Sequence, residues 1–90
     1  MEKIKAYLTG KPVLKVYLFG SYVRGEATEN SDIDLLVELD YSQKIGLQFI
    51  QMQLDLEELL GEKVDLVSIK GISKYIEPII NKEKRLIYAR

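Results

Sequence analysis

Apolar positions along this chain fall into short dense runs set apart by polar breaks, and the runs alternate between two periods. Met1 to Leu8 places Ile4 and Leu8 four apart, the spacing of a short helix, and Thr9-Gly10-Lys11-Pro12 terminates it. Val13 to Phe19 is dense in β-branched and aromatic residues and reads as a buried strand. Gly20-Ser21 breaks that run, Tyr22 to Gly25 has the length of one helical turn, and Glu26 to Ser31 is polar loop. Ile33 to Leu39 is a second strand whose alternation begins at Asp32. Ser42 to Leu60 predicts the longest helix, with Gly61 where a C-terminal cap is expected. Val64 to Ile69 is a third strand, Pro78 suits the first turn of a short helix, and Arg85 to Tyr88 adds a short edge strand. Strands alternating with helices predict an α/β fold, a small mixed sheet with helices packed on it. Ninety residues fit one compact domain, residues 1–90, and such a domain buries only about two-thirds of its unfolded surface.

The long helix carries two stripes. Ile45, Phe49, Met52, Leu56, Leu59 and Leu60 recur at helical spacing and form the expected core face. Leu47, Ile50 and Leu54 fall on the opposite face. A helix lying on a small sheet buries one stripe in its own domain, so the second is either covered by the C-terminal segment or used in contact with another subunit or partner.

Composition narrows the chemistry. Neither cysteine nor histidine occurs, so disulfides, thiolate sites and imidazole ligands are excluded, and carboxylates remain for metal or acid–base work. An apolar fraction of 47% is that of a globular protein. The net charge of −1 exerts no overall pull on nucleic acid, which disfavours such a partner. Lys82, Lys84, Arg85 and Arg90 make the end locally basic, but Glu83 interrupts them and a solvated end is expected. No apolar run approaches membrane-spanning length and the start lacks a signal peptide's apolar centre, so the expected location is the cytoplasm.

Candidate chemistry gathers in two segments, Leu18-Phe19-Gly20-Ser21-Tyr22-Val23-Arg24-Gly25 and Ser31-Asp32-Ile33-Asp34-Leu35-Leu36-Val37. Asp32 and Asp34, two apart at a strand start, point to one face while Ile33 and Leu35 point to the other. If their oxygens converge to about 4 Å they repel by roughly 4 kcal/mol at an effective dielectric of 20, and a divalent cation turns that penalty into binding. Oxygen ligands alone favour Mg2+ or Mn2+. An isolated Asp-x-Asp is as readily a turn at a strand entry. Asp65 tips the balance because it interrupts the apolar strand Val64-Asp65-Leu66-Val67, where an ionised carboxylate is costly without a cation or donors. Its competing reading is an edge position facing water. Gly20 lets backbone approach a ligand closely, and Ser21 either opens an anion-binding turn or merely caps it. Arg24 suits phosphate or a surface pairing with Glu26 or Glu29, and Gly25 is a turn residue.

Gly20-Ser21, ten intervening residues and then Asp32-x-Asp34 resemble the signature of the polymerase-β-type nucleotidyltransferase superfamily. The fuller Gly-Ser-x-x-Arg-Gly…Ser-Asp-x-Asp-Leu-Leu-Val resembles its minimal nucleotidyltransferase branch. That resemblance implies three carboxylates around two Mg2+ ions: Asp32 and Asp34 as metal ligands, Asp65 as ligand or base. It implies ATP as substrate, its triphosphate held by Gly20 and Ser21, with Arg24 at a motif position of less definite role. Members of this branch occur as antitoxins beside a HEPN-domain toxin, and some are similar to enzymes that adenylylate a tyrosine of that toxin. The expected function is AMP transfer to a protein hydroxyl, with a HEPN toxin as partner and Leu47, Ile50 and Leu54 available for a homo-oligomer. Two rivals stand beside it: an inert antitoxin that masks its partner by contact, and nucleotidyl transfer to RNA or a small molecule.

Overall fold

The computed structural model of the chain describes residues 2–28 and 31–90. Its elements run α1 (Glu2–Leu8), β1 (Val13–Phe19), α2 (Ser21–Arg24), β2 (Ile33–Leu39), α3 (Gln48–Leu60), β3 (Val64–Ser68), a 3-10 turn (Ile69–Gly71), α4 (Glu77–Glu83) and β4 (Arg85–Ala89). The four strands form one mixed sheet in the order β3-β2-β1-β4. β1 pairs antiparallel with both β2 and β4, while β2 and β3 are parallel and are joined through α3. The expected α/β fold with a small mixed sheet is what forms, with β1 and β2 on the expected spans and β3 starting at the expected residue.

Strand alternation sorts the side chains between the two faces. Leu35 and Val37 of β2, with Val64 and Leu66 of β3, face Ile4 and Leu8 of α1 and Met52 and Leu56 of α3, and these residues make the main core. Leu36 of β2 points the other way and is also buried, as is Ile80 of α4. Helices and turns thus cover the middle of β2 on both faces and leave one end of the sheet open. At that end β1 finishes and β2 and β3 begin.

Three expectations need correction. The long helix starts at Gln48 rather than Ser42. Asp40 accepts hydrogen bonds from the Ser42 backbone N–H (3.1 Å), the Ser42 hydroxyl and the Gln43 amide (3.1 Å), so the chain turns on a side chain instead of building a helix. Gly46, at φ +46°, extends the break. Leu59, assigned to the core stripe, is 37% exposed, and Ile45 packs on the core from outside the helix. β3 ends at Ser68 because Ile69 begins the 3-10 turn.

The ends of the other elements follow local chemistry. Gly61 caps α3 in the left-handed region (φ +67°), its N–H donating to Glu57 O at 2.9 Å. Pro78 sits in the first turn of α4, where its missing N–H costs nothing. Arg90 donates to Asp40 Oδ2 (2.8 Å) and to Lys11 O (3.0 Å), which ties the end of the chain to the start of β1. Two of the four basic residues of the tail therefore do not lie free: Arg90 is paired in this way, and the Lys84 ammonium lies 4.3 Å from the Tyr17 ring centre.

Candidate active site

The open end of the sheet collects the residues that the sequence singled out. Phe19 at the end of β1 stands opposite Asp34 at the start of β2, and Asp34 stands opposite Asp65 of β3. Asp34 and Asp65 therefore share one sheet face, with Asp32 two residues before Asp34 on the same side. Asp34 is half-buried, whereas Asp32 and Asp65 are exposed.

Asp65 reaches this position by a different route from the one its sequence context suggested. β3 is an edge strand and the Asp65 side chain faces water, so the cost of burying its charge is not what identifies it. Its register opposite Asp34 is. Burial pushes the Asp34 carboxyl above the usual range, repulsion from Asp65 and then Asp32 pushes it further, and Arg24 opposes them. Negative charge is thus in excess around Asp34.

Gly20 is the residue that lets the turn and the carboxylate meet. Its φ of +82° is a left-handed value that side chains resist, and a β-carbon built there would stand 2.1 Å from Asp34 Oδ2. Ser21 opens the single turn α2, closed by Gly25 at φ +75°. Val23 and Arg24 donate their N–H groups back to Gly20 O at 3.1 and 3.2 Å, which fixes the turn's geometry. Tyr22 reaches across to Glu62, its hydroxyl donating to Oε2 at 2.6 Å.

Arg24 pairs with Glu26, one of the surface partners the sequence offers, and also with a residue that sequence reasoning passes over. Its Nη1 donates to both carboxylate oxygens of Glu83 at 3.1 Å, and Oε1 of Glu83 also accepts the Gly20 backbone N–H at 3.0 Å. Glu83 had the look of a solvated acid within a basic tail; its one sequence signal was being a lone acid among bases just before a strand. Glu29, the other suggested partner of Arg24, lies outside the described residues.

Among the described residues, no three acidic side chains gather closely enough to enclose an ion as they stand. Their chemistry nonetheless fits a divalent cation: Asp32, Asp34 and Asp65 offer only hard oxygen donors, and Arg24 offsets only part of the negative charge around Asp34. Beside Asp65 a cavity of about 330 Å3 opens, walled by Phe19, Val67, Ile72, Ile76 and Ile80. It is an apolar pocket with one carboxylate in its wall.

The family description "Polymerase beta, Nucleotidyltransferase" matches residues 2–90. A relative from Thermococcus cleftensis, the protein adenylyltransferase MntA, is 42% identical over 88 residues, spanning 84% of this chain and 88% of its own. A relative from Methanocaldococcus jannaschii with a provisional name of the same kind is 47% identical over 91 residues, spanning 98% of this chain and 89% of its own. Among solved structures, a toxin–antitoxin complex with AMP-PNP superposes with a TM-score of 0.81 at 25% identity, covering 99% of this chain and 73% of that one. With a match along nearly its whole length and relatives above 40% identity over most of it, this chain belongs to the polymerase-β-type nucleotidyltransferase family.

Proposed function

We propose that this chain transfers AMP from ATP to a hydroxyl of a partner protein, a tyrosine of a HEPN-domain toxin, and so acts as the antitoxin of that pair in the cytoplasm. The observation that carries the reading is the pairing of Asp34 with Asp65 across parallel strands beside the Gly20 turn. The relatives named above supply the acceptor class: one is a protein adenylyltransferase, and one similar fold comes from a toxin–antitoxin complex holding an ATP analogue.

In this reading Asp32, Asp34 and Asp65 hold two divalent ions, Mg2+ by preference. Such ions, when bound there, would supply positive charge to offset the negative charge that develops in an in-line displacement. Gly20 and Ser21 hold the triphosphate, and Arg24 adds a guanidinium at its edge. The sheet order gives the site a direction. Asp65 lies on the edge strand, Asp34 on the next with Asp32 just before it, and Gly20 and Ser21 at the end of the strand beyond. The acceptor hydroxyl then enters from the Asp65 side, α-phosphorus sits between, and pyrophosphate leaves toward the Gly20 turn. The cavity beside Asp65 suits an aromatic ring whose hydroxyl reaches that carboxylate, which takes its proton or orients it.

The test is incubation of the chain with labelled ATP, magnesium and the candidate toxin, followed by intact-mass analysis. A gain of one or more AMP units on a toxin tyrosine is expected, and none with chelator present. Label on RNA or a small molecule but not on protein would overturn the reading, as would toxin neutralisation that proceeds unchanged without ATP.

The outer stripe of α3 is exposed: Leu47 by 81%, Ile50 by 60% and Leu54 by 52%. It lies on the face of the helix turned away from the core, on the side of the sheet opposite the acidic cluster. We assign it to contact between copies of this chain, which leaves the Asp65 side clear for the acceptor. Leu54→Arg should then dissociate the oligomer, since burying an unpaired arginine costs several kcal/mol. The monomer should remain folded, because Met52 and Leu56 carry the packing. Light scattering after size exclusion reads the mass. A wild-type chain that is monomeric at micromolar concentration would remove the assignment.

A further inference from the structure

We propose that Glu83 is a positioning residue of the nucleotide site, holding the Gly20 turn and the Arg24 guanidinium in one arrangement. The inference rests on the reading of Gly20, Ser21 and Arg24 as the triphosphate-binding group. Glu83 is brought in from the far end of the chain, 63 residues from Gly20 and 59 from Arg24. Its side chain is only 17% exposed. One oxygen accepts the Gly20 N–H at 3.0 Å, and both accept Arg24 Nη1 at 3.1 Å. The two residues it touches are therefore two of the three assigned to phosphate, and a charged acceptor makes these the stronger class of hydrogen bond.

Glu83 could instead be a stand-in for phosphate, ready to swing away when nucleotide arrives. Its anchoring argues against that. Ile80, one helical turn earlier on the same face, is buried in the cavity wall with Phe19. Immediately beyond Glu83 the chain enters β4, where Arg85 pairs with Leu18 and Leu86 with Tyr17. Carried two residues further, that antiparallel register sets Glu83 opposite Gly20. That pairing fixes the backbone at Glu83, while the carboxylate itself is held by its three hydrogen bonds to Gly20 and Arg24, all of which a swing would break. Charge points the same way. The acids facing this region are Asp34, Asp32, Asp65, Glu26 and Glu62, and Arg24 is the cation in contact with Glu83. A further carboxylate in so acidic a zone is held by its contacts rather than by the local field. With Glu83 bound to one edge of the guanidinium and Glu26 to Nε, the orientation of Arg24 is set from two sides.

The experiment compares wild-type chain with Glu83→Ala, Glu83→Gln and Arg24→Ala, reading KM for ATP and kcat for transfer to the toxin, and exchange of the Gly20 amide by NMR. Glu83→Ala should raise KM for ATP by about tenfold or more, the size expected for losing charge-assisted hydrogen bonds. It should speed Gly20 amide exchange by a similar factor. Glu83→Gln, which retains an acceptor for Gly20 but not the charge, should fall between. Added to Arg24→Ala, Glu83→Ala should cost less than it does alone, because part of its effect runs through Arg24. If Glu83→Ala fails to fold, Glu83→Gln carries the same comparison. Unchanged KM and Gly20 exchange in a folded variant would overturn the proposal. So would tighter ATP binding, which would make Glu83 a competitor of phosphate. If the wild-type chain itself transfers nothing, the proposed function has failed, and Gly20 exchange alone then decides whether Glu83 holds the turn.

Discussion

Asp34→Asn should abolish nucleotide transfer while leaving the chain folded. The substitution keeps the side chain's size, and Asp34 is half-buried beside Asp65, so nothing in the packing has to move. What changes is charge. Loss of a carboxylate supporter, not even a ligand, weakens a metal site by as much as about 100-fold, and losing a ligand should cost at least that much in activity. Stability without metal should hold or rise, because Asp34 is ionised against burial and against Asp65 and Asp32. Neutralising it removes that repulsion. Asp32→Asn should show the same loss of transfer, with less gain in stability because Asp32 is exposed. Transfer assays with thermal melts in chelator, run side by side, read both halves. Wild-type transfer by either variant would remove the carboxylate cluster from the reaction. A toxin still neutralised by Asp34→Asn, in an intact complex, would turn the chain from enzyme to masking antitoxin.

Gly20→Ala should damage both stability and activity, although it adds a single methyl group. Two penalties coincide. The left-handed backbone at φ +82° costs a residue with a side chain about 1–3 kcal/mol. The new carbon would lie 2.1 Å from Asp34 Oδ2, so either the turn or the carboxylate has to shift, and overpacking of that kind costs about 1–3 kcal/mol more. A total of at least about 2 kcal/mol is a large part of the margin of a domain this small. Urea denaturation should show a clearly lower midpoint with an unchanged slope. Transfer should fall further than stability explains, since moving Asp34 or the turn disrupts ligand and phosphate groups together. Gly10 and Gly61 serve as controls: each has a positive φ, but nothing lies within 4 Å of an added β-carbon. Alanine there should weaken the fold through backbone strain alone and leave the site in order. If Gly20→Ala matches Gly10→Ala in stability and retains transfer, the close approach of Gly20 to Asp34 has no part in function.

Much of this architecture is legible in the amino-acid sequence. The spans Val13–Phe19 and Ile33–Leu39 match the apolar runs residue for residue, because the two central strands of the sheet are mostly apolar, broken only by Lys15, Asp34 and Glu38. Gly20, Ser21, Asp32 and Asp34 could be read together because they lie close in the chain, and their spacing carries the family resemblance. Gly61 and Pro78 behaved as end signals for the same local reason. Periodicity misplaces the start of α3 because it takes no account of a competing side chain: Asp40 captures Ser42 and Gln43 and delays the helix to Gln48.

Everything that depends on which strand lies beside which was hidden. An isolated apolar strand looks the same whether it ends up central or at an edge, so the sequence leaves Asp65 open between a buried carboxylate and an edge position facing water. Its partnership with Asp34 arises from the parallel register of β2 and β3, set by α3 crossing between them. Glu83 is the sharper case. Its only local mark is being a lone acid among bases, because its role comes from β4 pairing with β1, which carries it across 63 residues to Gly20 and 59 to Arg24. Local sequence dictates local conformation through sterics, capping and burial. Long-range pairing is settled by the packing of the whole sheet, and that is where this site acquires its third and fourth carboxylates.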